Sequence, residues 1–245
     1  MTKRKTRRGS PLHITPSFEL FSNSKQLVLD NRWVFGPLLA IQLLFIINTW
    51  LTNHSTLHGG GRWRYDLTNH SGGWLSTGLP NYSWGLFLSL SLTAIIMIVI
   101  SVVTQILLQQ AQLDSAEGKS PHFGRLWQTA EELGWRMVGL YILITLYVLV
   151  GLILLIIPGL IMLRRYYLAP YVLLDKKCGI KEAMEESARI SKPYSGYIWG
   201  VIGVMFLISL LNVIPLIGGL AAFIVGSLYT VAPALRYQEL KKIHA

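Results

Sequence analysis

The sequence predicts an all-α polytopic membrane protein, with six transmembrane helices arranged as three hairpins, each preceded by an interfacial amphipathic helix. Three observations carry that prediction. Hydrophobic residues make up 52% of the 245 residues and charged residues only 14%. The apolar residues fall in runs that match a hydrocarbon core, which takes about 20 residues of helix to cross; these runs are Trp33–Leu51, Leu86–Leu108, Val138–Leu163, Tyr197–Ile214 and Leu216–Leu235. The net charge of +10 comes from basic residues in tails and loops beside those runs, where anionic lipid and topology account for them. No basic groove with interleaved aromatics is present, which argues against nucleic acid as a partner.

Residues 1–15 hold Lys3, Arg4, Lys5, Arg7 and Arg8 and read as a disordered cytoplasmic tail. A cleaved signal peptide has its apolar region close behind the basic one, and here none comes before Trp33. Residues 16–245 read as a single membrane domain. From Ser17 the pattern is amphipathic, with Leu20, Phe21, Ser24 and Leu27 on one helical face. The same arrangement returns as Leu126, Trp127, Ala130 and Leu133, and again as Ala183, Met184, Ser187 and Ile190. Each set is two adjacent apolar residues, a small one and a larger apolar one, just ahead of a predicted hairpin. The expectation is an internal repeat whose apolar stripes lie in the headgroup boundary.

Charge decides how Val138–Leu163 is threaded. A single crossing exports Arg164 and every basic residue after it, against the tendency of Lys and Arg to stay cytoplasmic. A reversal at Pro158-Gly159 leaves only Arg62 and Arg64 outside and Arg164 and Arg165 within the apolar layer, out of 22 basic residues. An embedded arginine costs about 2.5–3.5 kcal/mol at the bilayer centre, and less near the edge where it snorkels. The predicted spans are therefore 33–51, 86–108, 138–157, 159–174, 197–214 and 216–235, with both termini cytoplasmic.

The loop from Thr52 to Tyr82 is the main outer feature. It holds His54, His58, Asp66 and His70, a zinc vocabulary. Gly59-Gly60-Gly61 argues against the helix that would bring His54 and His58 together. No metal or cofactor is expected, and Cys178 stands alone. The last hairpin turns at Pro215. Its return helix carries Gly218, Ala222, Gly226 and Thr230, a small-residue stripe that lets helices pack closely in lipid or lines a substrate path. No Asp, Glu, Lys or His lies inside any span, so proton relays and carboxylate-based coupling lack their usual groups.

Arg164 and Arg165 are the one embedded charge pair, followed by Tyr166 and Tyr167. They read either as interfacial anchors or as a clamp for an anionic headgroup, since guanidinium meets phosphate bidentately. Tyr167 and a bend at Pro170, where a carbonyl is left unpaired, belong to that candidate site.

The segment IPGLIMLRRYYLAPYVLLDKKCGIKEAMEESARI resembles the YciC-like family of uncharacterised bacterial inner-membrane proteins. More distantly it is similar to the membrane domain found with some glycerophosphoryl diester phosphodiesterases. The features are Ile157-Pro158-Gly159, Ala169-Pro170, the charged break at Asp175, Gly179 and the helix of Ala183 and Ser187. The resemblance implies a bacterial inner membrane and carries no catalytic residue across. The expected function is a non-enzymatic integral protein of envelope or lipid homeostasis. It would act through anionic phospholipid or a partner, either a second copy or another membrane protein. The alternative is a small transporter or lipid-translocating permease, marked by a polar cavity between the second and third hairpins. An enzyme using the outer-loop histidines is a third reading.

Overall fold

A computed structural model describes residues 14–58, 84–213 and 218–244. Among them are ten α-helices, one short 3-10 turn and no strand. The helices are α1 (Glu19–Asp30), α2 (Arg32–His58), α3 (Trp84–Ala116), α4 (Phe123–Leu154), α5 (Ile156–Tyr166), α6 (Ala169–Lys176), α7 (Ile180–Ser191), α8 (Ser195–Leu210), α9 (Gly218–Tyr229) and α10 (Ala232–His244). They divide into two compact units, Ala40–Thr104 and the remainder, Met1–Leu39 with Gln105–Ala245. The smaller unit consists of parts of α2 and α3 and exposes Leu44, Leu92, Ile95 and Ile98.

Four helical stretches are long and apolar enough to cross a bilayer: Leu92–Ala116, Phe123–Leu154, Ser195–Val213 and Gly218–Ile243. The α1–α2 pair, bent by 100°, is a fifth if counted as one. The predicted return span 159–174 differs from these. It falls on α5 and α6, which have 11 and 8 residues and are each too short to cross alone.

The reversal itself falls at Leu155, ahead of Pro158-Gly159. Leu155 leaves the helical region (φ −166°, ψ 141°), which ends α4 and starts α5. Pro158 then sits in the first turn of α5, where a missing N–H costs nothing. Gly159 serves the packing rather than the turn: a Cβ built on Gly151 would stand 2.8 Å from Gly159 Cα. The backbones touch there, and the Tyr147 and Tyr166 rings meet farther along at 5.9 Å. So α5 runs antiparallel to α4, and α6 continues the same way until Lys177 Nζ reaches Glu132 at 2.6 Å. From Gly151 to Glu132 that is about 28 Å at 1.5 Å per residue.

The helix break between α5 and α6 has a counterpart. The chain turns at Thr230–Val231 between α9 and α10, as it does at Tyr167–Leu168. Both breaks read Tyr-x-x-Ala-Pro, as Tyr166–Pro170 and Tyr229–Pro233, a likeness in the sequence that the stripe comparison passes over. Each prolines' helix starts afresh at the alanine, with proline in its first turn. Each break is also satisfied by a serine from an amphipathic helix. Ser187 Oγ donates to the Arg165 carbonyl at 2.7 Å, and the Val231 N–H donates to Ser24 Oγ at 3.1 Å.

The amphipathic stripes face protein rather than a headgroup boundary. Leu20 and Ser24 of α1, and Ala183, Met184, Ser187 and Ile190 of α7, are buried. In the middle set Leu126 and Leu133 are buried but Trp127 is exposed, and this segment is one helix with the following span. Leu20, Val201, Val204, Tyr229 and Ala232 form a core cluster joining α1, α8, α9 and α10.

The charged ends of these helices meet. Arg125 pairs with Asp114 at 2.9 Å, Gln238 donates to Glu117, and Asp175 takes both the Tyr237 hydroxyl (2.6 Å) and Lys241 (2.7 Å). Arg236, fully buried, donates to Glu239 and to the Thr15 carbonyl, with its guanidinium 5.4 Å from the centre of the Tyr197 ring. The far end of the α4–α5 hairpin is the opposite in character: Ile153 through Ile157 are exposed and wholly apolar. Residues 1–13 of the expected disordered tail and the turn at Pro215 lie outside the described residues, while Thr15, at the end of that tail, is tied to Arg236.

Candidate functional site

Two cavities share Tyr166. The first opens on the surface where α7 crosses α4 and α5, with a volume of about 530 Å³. The stripe that buries α7 leaves Lys181, Glu185, Arg189 and Lys192 on its free side, and α5 adds Arg165. Leu143, Tyr147 and Met184 make an apolar wall. Four cations against one carboxylate, beside a greasy wall, give the pocket a net positive, amphiphilic lining.

Its electrostatics are partly committed. Glu186, just outside the pocket, takes two bonds from Arg189 (2.7 and 2.8 Å) and one from Lys176 (2.7 Å). The Arg189 hydrogen bonds hold its carboxyl down to about 2, against the opposing effect of burial. Lys181 is only loosely paired with Glu185, at 3.9 Å. Among the described residues, neither Arg165 nor Lys192 has an ion-pair partner. These two are the cations left for a ligand.

The second cavity, as open as the first, is the inner one in the sense that it lies between α3 and the two helix breaks, with a volume of about 280 Å³. One face of α3 supplies Gln105, Gln109 and Gln112; the α5–α6 break supplies Tyr166, Tyr167 and Pro170; the α9–α10 break supplies Thr230 and Pro233. Gln112 is held in place, accepting from the Tyr171 hydroxyl at 2.7 Å and donating to Thr230 Oγ1 at 2.9 Å. Among the described residues no ionic side chain lines this space.

The predicted site residues separate. Arg165 lines the basic pocket. Arg164 does not, and its Nε is buried without a hydrogen-bond partner. Tyr167 turns inward, lining the inner cavity and packing on the α1–α8–α9–α10 core. Pro170 also reaches that cavity. Gly218 and Ala222 are buried, and a Cβ on Gly226 would make ordinary contact with Ile208 of α8 at 3.7 Å. Thr230, the last member of that stripe, faces the cavity. Lys181, Arg189 and Lys192 went unselected because their part in the site depends on α7 crossing α5. Gln109 and Gln112 carry no signal in the sequence, since they fall past the predicted end of the second span at residue 108 and read as loop residues.

The helix α2 runs to His58 and stops where the glycines begin, so His54 and His58 do fall on one helix, contrary to expectation; Asp66 and His70 lie outside the described residues. Among the described residues no cluster of His, Cys, Asp or Glu could hold a metal ion. Burial, with Glu182 nearby, raises the Cys178 thiol.

The fold class is thus an all-helical chain with several helices of transmembrane length and hydropathy, compatible with a multi-pass membrane protein. No family model, curated protein or solved structure matches it.

Proposed function

We propose that this is a non-enzymatic multi-pass protein of a bacterial inner membrane that binds anionic phospholipid at the basic pocket. The observation that carries the reading is the pairing of Arg165 and Lys192, both without ion pairs among the described residues, with the apolar wall of Leu143 and Tyr147. A phosphate headgroup meets the cations and an acyl chain continues along the exposed apolar face of α4. In this reading α5 and α6 cross in tandem, giving six passes in three hairpins with both ends cytoplasmic. The length of the antiparallel run, about 28 Å by helical rise, supports that. The serine-capped breaks and their shared Tyr-x-x-Ala-Pro run support an internal repeat, and the YciC-like resemblance fits the same architecture.

The test is lipid capture in nanodiscs. Wild type should enrich phosphatidylglycerol over phosphatidylcholine, and Arg165→Ala with Lys192→Ala should abolish the preference. Arg164→Ala should leave it intact. Equal enrichment by the double variant would refute the site. Lys181 or the carboxyl terminus labelled from the outer face would refute the topology.

A second reading, a small permease, is favoured by the inner cavity. It lies between two broken helices, a construction by which transporters place irregular backbone around a substrate. Uptake into proteoliposomes would separate this reading from static lipid binding.

A further inference from the structure

We infer that the inner cavity is a binding site for an uncharged, polyhydroxylated group the size of a sugar ring. The site stands whether or not its occupant crosses the membrane, and it does not depend on the basic pocket. The inference rests on three features of the lining.

First, polar atoms are left waiting. Gln109 is 8% exposed and lines the cavity, yet its Oε1 has no hydrogen-bond partner. The Tyr141 hydroxyl is the neighbour of the Gln109 amide, but it too is buried without a hydrogen bond of good geometry. A buried polar atom without a good partner costs about 1–3 kcal/mol, and an occupant bridging Gln109 and Tyr141 would remove that cost. Second, the neighbours are already fixed: Gln112 is clamped between Tyr171 and Thr230, which leaves a rigid rim of amide and hydroxyl groups. Third, the lining carries no charge. Glutamine, tyrosine and threonine offer donors and acceptors without ions, and a bare charge brought into such a place would lose its hydration uncompensated.

Those features select the ligand class. Tyr141, Tyr166 and Tyr167 present apolar ring surface with polar tips, which suits a molecule with C–H faces and a rim of hydroxyls. The volume of about 280 Å³ greatly exceeds the roughly 30 Å³ that one water takes up in the liquid. Water filling the space is the competing outcome. The occupant has two sources of the same chemistry, a free hexose or polyol and the sugar headgroup of a neutral glycolipid.

The experiment uses the full-length protein in nanodiscs. Glucose and myo-inositol are titrated against wild type by equilibrium dialysis, with glucose 6-phosphate as the charged comparator. In a parallel arm the discs carry monoglucosyl diacylglycerol, and lipid capture is measured against phosphatidylcholine. Saturable binding in either arm, with the phosphorylated sugar at least tenfold weaker, is the expected result, and the arm that responds identifies the source. Tyr141→Phe, which keeps the ring, and Gln109→Leu should each weaken that binding tenfold or more. Arg165→Ala with Lys192→Ala should leave it unchanged, so this site and the anionic-lipid site fail separately. Absence of saturable binding in both arms would mean water alone fills the cavity and would overturn the inference. Preference for the phosphorylated sugar, or unaltered affinity in folded Tyr141→Phe, would overturn it equally.

Discussion

Gly151→Ala should destabilise the protein although alanine is the better helix former. The two effects have opposite signs, so their magnitudes decide. Removing a helical glycine gains about 1 kcal/mol. The new Cβ at Gly151, however, would lie 2.8 Å from Gly159 Cα and 2.9 Å from its N. Both are backbone atoms, with no rotamer to escape into, so α5 must move off α4 by most of an ångström. Overpacking of that kind costs about 1–3 kcal/mol, and a rigid backbone partner puts it near the top of the range. The net expectation is a loss of about 2 kcal/mol, the difference of those two effects. Gly203→Ala in α8 is the matched control, because a Cβ there meets nothing within 4 Å; it should gain up to about 1 kcal/mol. Reversible unfolding in mixed SDS micelles reads both. If Gly151→Ala proves as stable as Gly203→Ala, the close approach of α4 and α5, and with it the placement of the reversal, is wrong.

Three further outcomes follow from the same contacts. Glu186 has its folded-state pKa lowered from 4.5 to about 2, so its contribution is present above 4.5 and is lost as pH falls toward 2; the melting temperature of wild type should drop over that window more than that of Glu186→Gln, and equal profiles would refute the pairing. Asp175→Asn weakens the ties to Tyr237 and Lys241 and should cost about 1–3 kcal/mol, seen as a lowered melting temperature that Lys241→Met alone does not reproduce. Ser187→Ala removes the nearer of two hydroxyl donors to the Arg165 carbonyl, at 2.7 Å, and leaves Ser191 Oγ at 3.4 Å, so it should cost up to about 1 kcal/mol in the SDS assay, whereas Ser195→Ala should be near neutral.

How much was legible in the sequence differs by element. Long apolar runs and the distribution of lysine and arginine point to an all-helical membrane fold, because hydration penalties act on residue type alone. The stripe of Ala183, Met184, Ser187 and Ile190 is likewise readable from spacing. What covers it is not: spacing shows that a face is buried, and only the crossing of α7 over α5 makes protein rather than headgroups its cover. The reversal was placed at Pro158-Gly159 because both are turn formers, whereas the break at Leu155 has no side-chain signature. Of the candidate site, Arg165 was legible as an embedded charge. Its partner Lys192 comes from another helix and was not. The inner cavity needed α3, two broken helices and their tyrosines brought together, although the repeated Tyr-x-x-Ala-Pro run was there to be found.

The Thr15 carbonyl takes the Arg236 guanidinium and the Ser17 carbonyl takes the Tyr229 hydroxyl, at 2.7 and 3.0 Å across separations of 221 and 212 residues. Synthesis runs from one of those partners to the other. Thr15 and Ser17 therefore stay without these partners until synthesis has reached Tyr229 and Arg236, and the loop they close is a long one. Chains that stop before Tyr229 would lack both ties, leaving the amino-terminal helix its apolar packing on Val201 and Val204.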